Sequence, residues 1–140
     1  MEEYLTKSVT ETKAIAKKLA KKISGVIALT GDLGTGKTTF VQGFAEGLKI
    51  KDKIISPTFV LMRIHKIPKT KQIFYHIDLY RLEKGQLNGF GFEEIINDPN
   101  NFILIEWAEK AKNLLPKNTT WVHFEAEEDS RRISIITDPT

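Results

Sequence analysis

Val26-Ile-Ala-Leu-Thr-Gly-Asp-Leu-Gly-Thr-Gly-Lys-Thr38 is the stretch that decides the architecture. Its first five residues form a short, uninterrupted apolar run, the pattern of a strand buried on both faces of a parallel sheet. Its last eight, Gly31 to Thr38, match G-x-x-x-x-G-K-[ST]. The glycines let the backbone curl so that successive N–H groups turn toward phosphate oxygens. The N-terminus of the helix that follows adds its partial positive charge. Lys37 is placed to bridge the outer phosphates. The Thr38 hydroxyl is placed to ligate Mg²⁺, which takes few protein ligands and keeps most of its waters. At average glycine usage, a chance match in a chain of this length has a probability of about half a percent. A plain glycine turn capping a helix would not ask for Lys and Thr at those positions.

Working outward, Ser8-Val-Thr-Glu11 fits a capping box that opens a helix with Ile15, Leu19 and Ile23 on one face. Ser24-Gly25 is expected to end it. After the glycine-rich turn, a second helix runs from Lys37 to about Leu48, with Phe40, Val41, Phe44, Ala45 and Leu48 apolar. Gly43 and Gly47 inside it each cost about 1 kcal/mol relative to alanine. They point either to close packing against a neighbouring backbone or to a weak helix. Phe59 to Ile67 and Gln72 to Asp78 read as two strands joined by a turn at Pro68-Lys-Thr-Lys71. Phe92 to Ile96 reads as a short helix, and Phe102-Ile-Leu-Ile-Glu106 as a second buried strand. Trp121 to Ala126 and Arg131 to Ile136 read as late strands around the acidic turn Glu127-Glu128-Asp129. Strands alternating with helices give an α/β fold. The expectation is a three-layer P-loop NTPase-like sandwich, its mixed sheet having a parallel core and antiparallel hairpin strands. One domain over residues 1–140 is expected.

Composition bounds the chemistry. The chain has 140 residues, 41% hydrophobic and 28% charged, with a net charge of +3. Such a length can bury roughly two thirds of its unfolded surface. The longest apolar runs (Val26–Leu29, Phe59–Met62, Phe102–Ile105) fall far short of the about 20 residues of a membrane span. MEEYLTKSVTE at the start is acidic and has no apolar core, so no secretory leader is expected, and a cytoplasmic location is. The chain has no cysteine, which removes disulfides, cysteine zinc sites, iron–sulfur clusters and thiol nucleophiles. His65, His76 and His123 show no metal-ligand spacing, and no serine sits in a nucleophile elbow. The mild positive charge permits a nucleic-acid or acidic partner without demanding one. The lysine stripe Lys13, Lys17, Lys21 and the hairpin-tip Lys66, Lys69 and Lys71 read first as solvated faces.

A P-loop works with a carboxylate at the end of an adjacent apolar strand. Glu106, closing FILIE, is the first candidate, and Asp78, in Tyr75-His-Ile-Asp-Leu-Tyr-Arg81, the second. Either can bind Mg²⁺ through water or orient the attacking water. The competing readings are a solvent-facing strand end for Glu106 and a helix N-cap for Asp78. His76 reads as a core or rim histidine rather than a catalytic one. Trp107 reads as a packing residue near the site. Arg81 can stabilise phosphate charge or pair with Glu83 or Asp78.

Taken with the P-loop, Ser56-Pro-Thr-Phe59, His76 to Leu82 and the apolar strand ending in Glu106-Trp107 follow one another in an order and spacing that resembles the TsaE (YjeE) family. These are ATPases of bacterial tRNA threonylcarbamoyladenosine synthesis, and the resemblance covers nearly the whole chain. It implies ATP and Mg²⁺ as cofactors, with ATP contacts at Leu33, Gly34, Thr35, Gly36, Lys37, Thr38 and Thr39, and with Val9 in a region near the adenine. Thr38 and Glu106 would be the metal side, and Lys37, Asp78 and Glu106 the catalytic groups. Thr58 would lie in a first switch near the γ-phosphate. Trp107 would sit in a second, and Tyr80 and Arg81 would be further switch residues. The resemblance further implies a weak ATPase that serves the partner proteins TsaB and TsaD. The modification falls at position 37 of tRNAs reading ANN codons, with tRNA met indirectly or through the complex. Ala108 stands where the family often has proline, and Gly89 and Gly91 where it usually has one glycine; neither touches the loop or the acids.

Rival readings are a small-molecule P-loop kinase, which needs a substrate region and lid arginines where this chain has four arginines in all, and a nucleotide-gated binding module. A GTPase would carry an Asn-Lys-x-Asp motif, which is absent. An RNA-binding protein would interleave aromatic residues with its basic ones.

Overall fold

The computed structural model describes residues 2–32, 34–55, 62–81 and 91–137. The strands within them form one sheet: β1 (Glu2–Thr6), β2 (Gly25–Thr30), β3 (Met62–Lys66), β4 (Ile73–Asp78), β5 (Phe102–Glu106), β6 (Thr120–Ala126) and β7 (Arg131–Thr137), in the order β1-β7-β6-β2-β5-β4-β3. The opening stretch thus supplies the central strand. β2 runs parallel to β5 on one side and to β6 on the other, and β4 lies parallel beyond β5. The outer pairs β1–β7, β6–β7 and β3–β4 are antiparallel.

Both faces of the sheet are covered, which is why β5 is buried at every residue and β2 carries no charge. Side chains alternate across a strand. On one face Ile27, Leu29, Phe74, Phe102, Leu104, Val122 and Phe124 pack with Ala16 and Leu19 of α1 (Val9–Ala20) and Phe40, Val41 and Phe44 of α2 (Lys37–Gly47). On the other, Val26, Ala28, Ile77, Ile103 and Ile105 pack with Phe92 and Ile96 of α3 (Phe92–Ile96) and with Ala108 and Ala111 of a 3-10 segment (Ala108–Leu114). Each fully buried Ile, Leu or Phe contributes about 1.5–3 kcal/mol. The result is the three-layer α/β sandwich with a mixed sheet that the sequence leads one to expect.

The two glycines of α2 mark a close helix crossing. A Cβ on Gly43 would lie 2.6 Å from Lys13 Cα and 2.7 Å from its carbonyl oxygen, and one on Gly47 would lie 2.9 Å from the Lys17 carbonyl. Positions 13 against 43 and 17 against 47 also show that α1 and α2 run parallel, so both helices begin at the same end of the domain. Lys13 and Lys17 reach Glu46 of α2 at 3.6 and 3.1 Å, so part of the lysine stripe is tied to the neighbouring helix.

Three expectations are corrected. α1 ends at Ala20, not at Ser24-Gly25, because Lys21, Lys22 and Ile23 turn their N–H groups back onto Lys18 and Leu19 carbonyls. Its buried face is Thr12, Ala16, Leu19 and Ala20, with Ile15 and Ile23 half-buried, since the glycine crossing brings α2 against the small residues. In the cap, Glu11 N–H donates to Ser8 Oγ at 3.1 Å, but the Glu11 carboxylate accepts from Lys7 N–H at 2.6 Å, one residue upstream of the usual box. β1 and the 3-10 segment had no counterpart in the sequence reading: β1 is a charged edge strand that owes its form to pairing with β7. The SPTF segment with Thr58, the first residues of the strand expected from Phe59, Leu33, Leu82 and Gly89 lie outside the described residues.

Candidate functional site

β2 ends at Thr30, and the chain turns at once. Gly31 has φ 130°, and a Cβ there would meet the Phe124 carbonyl oxygen of β6 at 2.4 Å, so only glycine fits between the turn and the neighbouring strand. Thr35 Oγ1 donates to the Asp32 carbonyl at 2.6 Å and draws the loop tight. Gly36, at φ 102°, stands at the N-cap of α2 without a side-chain cap. Several of the first N–H groups of a helix have no partner within it. Uncapped at this end, they can receive an anion, which the helix dipole would favour.

Lys37 is buried and folds back over the loop: its Nζ donates to the Gly31 carbonyl and stands 3.6 Å from the centre of the Trp107 ring. Burial pushes its ammonium below the usual lysine range, against the pull of Glu106, Glu109, Asp78 and Asp32.

The parallel register places the carboxylates beside the loop. Leu29 of β2 pairs with Glu106 of β5, and Glu106 pairs with Asp78 of β4. Glu106 is 3% exposed. Thr38 Oγ1 donates to its two oxygens at 3.1 and 3.3 Å, and His76 Nε2 lies 2.6 Å from Oε2. A hydroxyl that donates to a carboxylate keeps its lone pairs for a cation, so Thr38 and Glu106 together fit a Mg²⁺ site. Asp78 is half-buried, and its Oδ1 accepts the Tyr80 N–H at 2.9 Å in an Asx turn, not as a helix N-cap. Glu106 is likewise no solvent-facing strand end.

Trp107 follows Glu106 in a left-handed turn, φ 59°, which brings its ring back over Lys37. The Tyr80 ring lies 5.0 Å from it, and Lys110 Nζ holds the Tyr80 carbonyl at 2.6 Å. Of the other expected contacts, Gly34 is exposed and Thr39 half-buried on the loop and first turn of α2, and Arg81 is exposed. Val9 is 60% exposed at the start of α1.

His76 is the residue that sequence reasoning passed over. Strand alternation was the available signal: Phe74, His76 and Asp78 point to the α2 face, as do Phe102, Leu104 and Glu106.

The profile of a family described as threonylcarbamoyl adenosine biosynthesis protein TsaE matches residues 6–133. The chain belongs to the TsaE family. It is 38% identical over 133 residues to the TsaE of Rickettsia prowazekii (strain Madrid E), covering 92% of this chain and 90% of that one. It is 37% identical over 138 residues to the TsaE of Bacillus subtilis (strain 168), covering 94% and 83%. Both relatives are named tRNA threonylcarbamoyladenosine biosynthesis proteins. Among solved structures, that of Bacillus subtilis YdiB superposes with a TM-score of 0.80 at 32% identity, covering 98% of this chain and 85% of YdiB. This TsaE-family chain therefore carries the fold of its relatives, and its role lies with tRNA threonylcarbamoyladenosine biosynthesis. Among the described residues, no helix is long and apolar enough to cross a membrane.

Proposed function

We propose that this TsaE-family chain is a Mg²⁺-dependent ATPase, weak alone and activated by a TsaB–TsaD pair, that serves formation of threonylcarbamoyladenosine at position 37 of tRNAs reading ANN codons. The observation that carries it is the meeting of Lys37, Thr38 and Glu106 at the ends of β2 and β5, against the uncapped start of α2.

In this reading Thr38 and Glu106 would hold Mg²⁺, whose charge would offset that of the outer phosphate oxygens. The amides of residues 34–39 receive the phosphates. Lys37 leaves the Gly31 carbonyl and the Trp107 ring for the outer phosphates. Water attacks the γ-phosphorus in line, the bond from that phosphorus to the bridging oxygen breaks, and ADP and phosphate leave. Asp78, beside Glu106, accepts the proton that the water gives up. The chain transfers no threonylcarbamoyl group; hydrolysis resets the complex between turnovers, in the cytoplasm.

The test is phosphate release from MgATP by the purified chain, alone and with TsaB and TsaD added. Slow release that rises with the pair supports the proposal. Fast release alone, or no response to the pair, moves the reading to a small-molecule kinase or another ATPase role.

A further inference from the structure

His76 is fully buried, in the middle of β4, with Leu104 beside it in the register. Its Nε2 lies 2.6 Å from Glu106 Oε2, while its Nδ1 is buried with no hydrogen-bond partner among the described residues. A carboxylate oxygen accepts only, so the nitrogen that faces it must carry a proton. Of the two neutral tautomers, the Nδ1–H form would set a lone pair against the carboxylate and leave a buried N–H unsatisfied. The Nε2–H form leaves only a bare acceptor. Burying a polar ring with one unused nitrogen in a sheet of Ile, Leu and Phe has no packing rationale, since an apolar residue of that volume would serve as well.

We propose that His76 is a positioning residue: its Nε2–H pins Glu106 Oε2, leaving the carboxylate turned to the Thr38 hydroxyl, so that Thr38 keeps its lone pairs for a cation. The inference rests on the reading of Thr38 and Glu106 as the Mg²⁺ side of the site. Among the described residues the hydrogen-bond partner of the His76 ring is Glu106, and its effect passes through that carboxylate.

The experiment compares the wild type with His76→Met and His76→Gln. Met fills the space and cannot donate; Gln offers Nε2–H at a similar reach. The readout is the Kd of a fluorescent ADP analogue in Mg²⁺ and in excess EDTA, with the Tm of each variant. Loss of the partner of a metal ligand weakens metal affinity by roughly 10–100-fold. The expectation for His76→Met is a loss of about tenfold or more in the Mg²⁺-dependent part of the affinity, with the EDTA value and Tm near wild type. His76→Gln should recover most of it. A Met variant with a wild-type Mg²⁺ response overturns the proposal, as does one whose EDTA affinity and Tm fall together while the Mg²⁺ response stays. Wild-type binding that is equal in Mg²⁺ and EDTA overturns the metal reading of Thr38 and Glu106, and the proposal with it. ¹⁵N NMR of the wild-type His76 ring needs no substitution: a proton on Nε2 is expected, and one on Nδ1 alone overturns the proposal.

Discussion

The Lys37 ammonium rests 3.6 Å from the centre of the Trp107 ring, with the Gly31 carbonyl as its hydrogen-bond acceptor. The cation that a phosphate would claim is thus already held by the protein, through a cation–π contact worth about 2 kcal/mol when desolvated. Phosphate must draw the amine off the ring. The chain has two tryptophans, so a Trp121→Phe variant isolates Trp107. Its emission is expected to change on saturation with ADP or ATP, and the change is expected to vanish in Lys37→Met. Constant emission in the Trp121→Phe protein under saturating nucleotide would refute this arrangement.

Lys37 also makes stability depend on pH. Burial holds its ammonium below the ordinary value of 10.5. In the interval between the folded and unfolded values, the unfolded chain binds the extra proton, so stability rises with pH there. Below that interval both states are protonated and the full cost of the buried charge is present. Lys37→Met removes the cost. The variant is expected to melt a few degrees above wild type near neutral pH. The gap should narrow as pH climbs toward 10.5, as followed by urea denaturation across an alkaline series. A gap that widens with pH would contradict the burial argument.

Much of this site could be read in the sequence because its signals are local. Strand, glycine turn and helix lie within one stretch, so Gly31 to Thr38 announced themselves, and an apolar run closing on a carboxylate marked Glu106. His76 needed non-local knowledge. Strand alternation sets it on the same face as Asp78, but the register of β4 on β5 is what brings it to Glu106. β1 was missed for the same reason: two glutamates in five residues carry little strand signal, and pairing with β7 supplies what propensity lacks. The end of α1 slipped because Ile23 continues the apolar spacing past the last helical turn and packs on the same core from the connection to β2.

The α1–α2 crossing gives a test of the fold apart from the site. In an exposed helix, Gly43→Ala would gain about 1 kcal/mol. Here the new methyl would meet Lys13 backbone at 2.6 Å, and backbone cannot swing aside. Overpacking of this kind costs about 1–3 kcal/mol. Gly43→Ala should therefore lower Tm by several degrees in thermal denaturation, whereas a rise would show that the helices separate freely.

The two carboxylates should separate by what each holds. Asp78 Oδ1 accepts the Tyr80 N–H at 2.9 Å, a task that an asparagine carbonyl performs equally well. Asp78→Asn therefore keeps the turn and, with Lys37 and Thr38 untouched, keeps nucleotide affinity within about twofold; without a proton acceptor beside the attacking water, hydrolysis should fall by roughly 10²-fold or more. Glu106→Gln places a neutral amide where Thr38 and His76 both donate. One of its positions becomes a donor facing a donor, and a cation held there loses its counter-charge. That variant should lose Mg²⁺-dependent affinity and hydrolysis together. Titration with a fluorescent nucleotide and single-turnover phosphate release on the same preparations would distinguish the two patterns. An Asp78→Asn protein that hydrolyses ATP at the wild-type rate would remove Asp78 from the chemistry and leave it as a turn residue.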